Sequence, residues 1–113
     1  MKSKILALSK NEEFKKLLKM KKVTNKYVTI FFGNLKNKDN KKLNISFVTK
    51  KKIGNAVKRN KIKRRLRNIM NDAVKKISIK FDYSYLVIAK PTMLNNEFKD
   101  MKETLFKDFN NIK

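Results

Sequence analysis

Residues 50–67, KKKIGNAVKRNKIKRRLR, hold ten Lys or Arg and no acid in eighteen positions. All four arginines of the chain, Arg59, Arg64, Arg65 and Arg67, fall inside this stretch, and the other 27 basic residues are lysine. Gly54 and Asn55 mark a turn followed by a helix start, because glycine accepts unusual dihedrals and asparagine is a favoured N-cap. At 3.6 residues per turn, Ile62, Leu66, Ile69, Met70, Ala73 and Ile77 fall within an arc of about 100°, which makes a core-facing stripe. Arg59, Lys63 and Arg67 line one flank of that helix, Asn60 and Arg64 its outer face, and Lys58, Lys61 and Arg65 the other flank. Arg59 lies near the stripe itself, so the helix start projects past the core.

Outward from this helix, the chain reads as strands on both sides. Residues 27–32, YVTIFF, are β-branched or aromatic throughout and predict a strand buried on both sides or nearly so. Strict alternation puts Tyr27, Thr29 and Phe31 on one face and Val28, Ile30 and Phe32 on the other. Residues 33–42, GNLKNKDNKK, read as an exposed hairpin loop leading to a second strand at about 43–49, where Ile45 and Phe47 alternate with Asn44, Ser46 and Val48. Beyond the helix, residues 81–89, FDYSYLVIA, form the third strand, which stops at Lys90 and Pro91 because proline cannot continue a ladder. Ser9 and Glu12 have capping-box spacing before a helix over about 10–20, with Phe14, Leu17 and Leu18 on its apolar side. Asn95 or Asn96 caps a last helix whose Phe98, Met101, Leu105, Phe109 and Ile112 step by three and four. The order α, β, β, α, β, α predicts an α/β (α+β) two-layer sandwich, a small mixed sheet with helices mainly on one face.

Composition bounds the chemistry. A chain of 113 residues is expected to be one domain, residues 1–113, burying about 60 to 70% of its unfolded surface. It contains no cysteine and no histidine, which removes disulfides, zinc-thiolate sites and the commonest general base. No apolar run approaches a membrane span and the N-terminus lacks a signal-peptide pattern, so a cytoplasmic protein without membrane partners is expected. The formal net charge of +22 attracts polyanions at long range. That charge is localised: no acid lies between Asp39 and Asp72, whereas residues 96–113 carry four acids and four lysines. Clustered guanidinium forks suit phosphate, and the first-turn amides after Gly54 add an anion site. A basic helix set between strands, outside any helix-turn-helix, favours RNA over DNA. Aromatic residues on a sheet can stack on unpaired bases, which makes Phe14, Tyr27 and Phe31 candidates alongside their alternative role as core.

Residues 51–67, KKIGNAVKRNKIKRRLR, closely resemble the RNR signature of the protein subunit of bacterial ribonuclease P. SKNEEF at 9–14 looks like that family's first helix, NISFV at 44–48 like its strand and FDYSYLVIAKP at 81–91 like its last strand, so the resemblance spans about residues 8–109. It implies a left-handed βαβ crossover, against the usual right-handed rule. It also implies a fourth strand, expected near residues 50–53 or in the preceding loop. The role implied is to bind a large catalytic RNA and the 5′ leader of precursor tRNA, while magnesium ions held mainly by the RNA and substrate carry out hydrolysis, with no organic cofactor and no catalytic side chain. Carried over by position, Lys51, Lys52, Arg59, Asn60, Lys63, Arg64 and Arg67 match the RNA-facing signature, and Lys61 stands where arginine is common. Phe14 matches an aromatic lining the leader cleft between the first helix and the sheet. Leu18 replaces a usual aromatic, Lys21 a usual glycine, and Ile30 lies where a strand tyrosine can occur; Tyr27 and Phe31 are further leader candidates. The alternative is an RNA-binding protein outside any enzyme, such as a ribosomal protein or RNA chaperone. A protein-only nuclease is disfavoured, because a two-metal site needs several convergent carboxylates.

Overall fold

The computed structural model describes residues 5–6, 11–34, 43–77, 79 and 83–112, without the side chains of 5–6 and 11–14. The Ser9 half of the capping box, the centre of the loop at 33–42, and Phe81 and Asp82 lie outside the described residues. Five strands and three α-helices follow in the order β1 (Ile5–Leu6), α1 (Asn11–Leu18), β2 (Lys21–Thr24), β3 (Val28–Gly33), β4 (Leu43–Val48), α2 (Ala56–Lys76), β5 (Ser84–Ala89) and α3 (Phe98–Asn111). Short 3₁₀ turns at Lys51–Ile53 and Pro91–Leu94 flank α2 and β5.

The strands form one mixed sheet in the order β1-β4-β5-β3-β2. The hairpin expected between β3 and β4 is overturned: both pair with β5, which lies between them, β3 antiparallel and β4 parallel. The physical reason lies in β5, SYLVIA, buried at five of its six positions. A strand this apolar stabilises the fold most when covered on both faces and paired on both edges. Strands β4 and β5 are therefore joined by the α2 crossover. The extra strand also lies elsewhere than expected. Residues 51–53 form a 3₁₀ turn, and two strands join the three read from sequence: β1, parallel to β4 at Ile5↔Leu43 and Leu6↔Asn44, and β2, antiparallel to β3 from Lys21↔Phe32 to Thr24↔Thr29. A short edge strand carrying two exposed lysines is how sheets protect an open edge, and it leaves almost no hydrophobic alternation to read.

Each face of the sheet has its own cover. Val28, Ile30 and Phe32 of β3, Leu43 and Ile45 of β4 and Tyr85, Val87 and Ala89 of β5 join Ile62, Leu66, Ile69, Met70 and Ala73 of α2 in the main core. Met101, Leu105 and Phe109 of α3 complete it, with Phe109 edge-on to Tyr85 at 5.4 Å between ring centroids. On the opposite face, Leu17 of α1 packs on Leu86, flanked by Phe31, Val48 and Ile88. Two helices thus cover one face and α1 covers part of the other.

The α2 start is built as its sequence predicts. Gly54 has φ +152°, and the Asn55 Oδ1 accepts the Lys58 amide at 3.0 Å. Near its other end, the Lys102 ammonium of α3 donates to the Asp72 carboxylate at 2.6 Å. That hydrogen bond, reinforced by the charges of Lys102, Lys76 and Lys75, holds the Asp72 carboxyl below its ordinary value. The depressed value means the link is intact above the ordinary carboxylate range and is lost as pH falls through the lowered one. Replacing the cap, Asn55→Ala, is expected to cost about 1 kcal/mol. Thermal melting checks this, with a Tm lowered by roughly 3 to 6 °C.

Candidate nucleic-acid interface

Five buried side chains on one side of α2 fix its rotation about its own axis, and so fix which residues face water. Asn60, Lys61, Lys63, Arg64 and Arg67 are all exposed. The preceding turn adds to this surface: Ile53 is buried and pins the segment, while Lys51 and Lys52 stand exposed beside the helix start. No acid occupies the first turn of α2, so its free amides and dipole favour an anion there. Val57 is 73% exposed at the same end, an apolar point within a basic field.

The arginines divide into two kinds. Arg64 and Arg67 are exposed, whereas Arg65 is half-buried and donates from Nη1 to the Met93 carbonyl at 3.0 Å. Arg65 ties α2 to the turn that ends β5, which explains a guanidinium on this flank without a ligand. Arg59 is intermediate, and its Nε is buried without a hydrogen-bond partner among the described residues. The guanidinium therefore lies along the protein surface with its inner nitrogen covered, consistent with its position beside the apolar stripe.

The sheet face beneath α1 forms a second surface. Phe31, Ile88 and Val48 are each partly buried there, and Leu18 is 48% exposed. The β2 register brings Lys22 opposite Phe31, and Thr24 Oγ1 meets Thr29 Oγ1 at 3.0 Å. Sequence alternation missed Lys22 and Thr24, because nothing in KKVT signals a strand until its partner is known. Phe14 belongs to α1, on this side of the sheet, but its side chain lies outside the described residues.

The expected face of one aromatic residue is corrected. Tyr27 is only 4% exposed and packs in the main core, not on the face of Phe31. Asn25 causes the difference: its Oδ1 accepts the amides of Tyr27 at 2.7 Å and Val28 at 2.9 Å, making a turn that breaks strict alternation before β3 begins. Ile30, placed at a position where a strand tyrosine can occur, is wholly buried beneath the helices. The half-buried aromatic of β3 on the α1 side is Phe31.

Comparison with known proteins accounts for this arrangement. The family model described as Ribonuclease P matches residues 3–113. The chain belongs to the ribonuclease P protein family. Among its relatives, the ribonuclease P protein component of Carboxydothermus hydrogenoformans is 35% identical over 102 residues, covering 87% of this chain and 83% of the relative. That of Bacillus pumilus is 36% identical over 99 residues, covering 87% and 80%. A solved Staphylococcus aureus RNase P protein, a mutant with defective mRNA degradation activity, superposes with a TM-score of 0.76 at 28% identity, over 91% of this chain and 83% of that one. The Thermotoga maritima RNase P protein shares the fold with a TM-score of 0.79 at 23% identity, over 96% and 98%. Membership of the ribonuclease P family assigns the chain a subunit role in tRNA processing.

Among the described residues, no group of three or more His, Cys, Asp or Glu could hold a metal ion, and no helix is long and apolar enough to cross a membrane. The division among the arginines is testable by melting. Arg65→Ala removes a charged donor from a carbonyl and is expected to cost about 1.5 to 3 kcal/mol, while Arg64→Ala stays within about 0.5 kcal/mol of the parent. Equal Tm values for the two variants would contradict the assignment of Arg65 as an anchor.

Proposed function

We propose that this chain is the protein subunit of a ribonucleoprotein endonuclease whose catalytic RNA removes the 5′ leader of precursor tRNA. The observation that carries the reading is the outward face of α2. Arg59, Asn60, Lys61, Lys63, Arg64 and Arg67 of a helix anchored by Ile62, Leu66 and Ile69, with Lys51 and Lys52 of the preceding turn, form a preset basic surface. These residues bind the backbone of the catalytic RNA, with Arg64 and Arg67 offering forked donors to phosphate. The amides at the α2 start take a further phosphate. Neutralising six to ten phosphates makes affinity fall by roughly 10³ to 10⁵ between 50 and 200 mM salt.

The leader lies on the sheet face beside α1. Phe31 supplies an aromatic surface there, Phe14 belongs to the same side, and Lys22 adds charge for a backbone phosphate. Because Tyr27 is buried and Leu18 replaces an aromatic, the leader is held by one or two stacking contacts and by lysine charge. Magnesium would be held mainly by the RNA and the substrate, and would supply there the water activation and charge stabilisation that phosphodiester hydrolysis needs. The protein contributes position and charge screening, and its side chains take no proton in the reaction.

A precursor-tRNA cleavage assay at low magnesium, with the cognate catalytic RNA present and absent, tests this function. Cleavage is expected only when that RNA is present and to be stimulated by the protein. Phe31→Ala is expected to weaken binding of precursor more than of mature tRNA. No stimulation would leave the chain an RNA-binding protein of another kind, and cleavage by protein alone would assign the chemistry to its side chains.

A further inference from the structure

A cavity of about 300 Å³ opens at one end of the sheet, lined by Met20, Lys21, Phe32, Gly33, Asn34 and Tyr83. The strand register places it away from the α2 start and next to the sheet face beneath α1, since its Lys21–Phe32 pair adjoins the Lys22–Phe31 pair of that face. Gly33 pairs with Ser84 and Ser84 with Asn44 at this end, whereas Val48 pairs with Ile88 at the end that leads to Lys51 and the α2 start. Four residues of β5 separate those two levels, about 13 Å at the rise of a strand.

The walls are built from sequence features that the RNA-docking helix does not use. Gly33 leaves room for its neighbour: a Cβ there would lie 1.9 Å from the Met20 sulfur, so with any other residue the thioether that forms one wall would have to shift. Tyr83 is half-buried, with its ring 5.5 Å from Phe32 and 6.3 Å from Tyr85, which holds it in place while leaving ring surface towards the opening. Lys21 is exposed at the rim, opposite Phe32 in the β2–β3 ladder.

We propose that this cavity takes one unpaired nucleotide of a single-stranded RNA segment, a contact separate from the α2 surface and adjoining the sheet face beneath α1. The inference rests on the RNA-binding reading above. Three properties select a nucleotide. The volume lies at the small end of ligand sites, which run from about 300 to 1,000 Å³, and admits a base with its sugar. The lining combines an aromatic ring with a polarizable thioether, both suited to a flat π-system of any sequence. The lysine at the rim, in a chain of net charge +22, selects an apolar body that carries an anion over a neutral or cationic one.

The test compares the intact protein with two ten-nucleotide probes, an oligoadenylate and an abasic strand of equal length and charge. Tyr83→Phe keeps the ring and is expected to bind the oligoadenylate as the parent does. Tyr83→Leu keeps apolar volume without a π face, and is expected to lose roughly fivefold or more in oligoadenylate affinity while holding the abasic strand unchanged. Phe31→Ala, run in parallel, reports the sheet face beside α1. A readout that needs no substitution is the Met20 methyl resonance, which ring current from a bound base shifts with oligoadenylate and not with the abasic strand. The proposal is overturned if that resonance stays still while the oligoadenylate binds. It is equally overturned if Tyr83→Leu binds the oligoadenylate as the parent does, or weakens both probes alike. In these cases the RNA-binding reading stands. A parent that binds neither probe and does not bind the catalytic RNA overturns both.

Discussion

The contact between the apolar stripe of α2 and the helix-covered face of the sheet is the constraint on which the other features depend. Ile62, Leu66, Ile69, Met70 and Ala73 are fully buried. Their burial fixes the rotation of a 21-residue helix that carries most of the exposed arginine and lysine of the central stretch. Without that packing the same residues would be a flexible polycation, and each phosphate contact would have to overcome the entropy of ordering a long side chain and its backbone. With it, the charges are arrayed before the ligand arrives. Arg65 shows how closely the two roles adjoin: one residue along from the exposed Arg64, it turns inward to hold the Met93 carbonyl.

The sheet beneath is organised to support this helix on one side and to leave a binding strip on the other. Placing β5 at the centre lets its apolar residues meet α2 and α3 with Tyr85, Val87 and Ala89, and meet α1 with Leu86. The single short α1 cannot cover the face it sits on, so Phe31, Val48 and Ile88 remain partly exposed beside it. A strongly basic chain thus keeps most of its apolar side chains in the core and beside α1, while the acids of α3 and Asp72 offset local repulsion through contacts such as Lys102 with Asp72.

The sequence made α2 legible because its stripe, Ile62 to Ile77, repeats over about four turns and its start carries two local signals, Gly54 and Asn55, whose geometry depends on few neighbours. The three strands visible in sequence were strongly apolar or alternating. Strand order was not legible, because the run SYLVIA tells how deeply β5 is buried and says nothing about which strands flank it. KKVT was missed for a related reason: an edge strand made mostly of exposed residues is specified by its partner β3. Tyr27 and Phe31 shared a predicted face by counting, and a side-chain hydrogen-bonded turn at Asn25 separated them. Likewise the helical wheel set Arg64 and Arg65 on different parts of a basic surface, but only the position of Met93 made one of them an anchor.

The absence of native cysteine permits a direct test of which surface meets the RNA. Single cysteines placed by Val57→Cys on the first turn of α2 and by Glu103→Cys on α3, each carrying an iron chelate, would generate hydroxyl radicals that cut nearby RNA in the complex with the cognate catalytic RNA. Both positions are exposed. The α2 site is expected to give strong cuts confined to a few contiguous segments of the catalytic RNA, and the α3 site to give few or none. Cuts of equal strength from both sites, or stronger ones from α3, would contradict α2 as the docking helix.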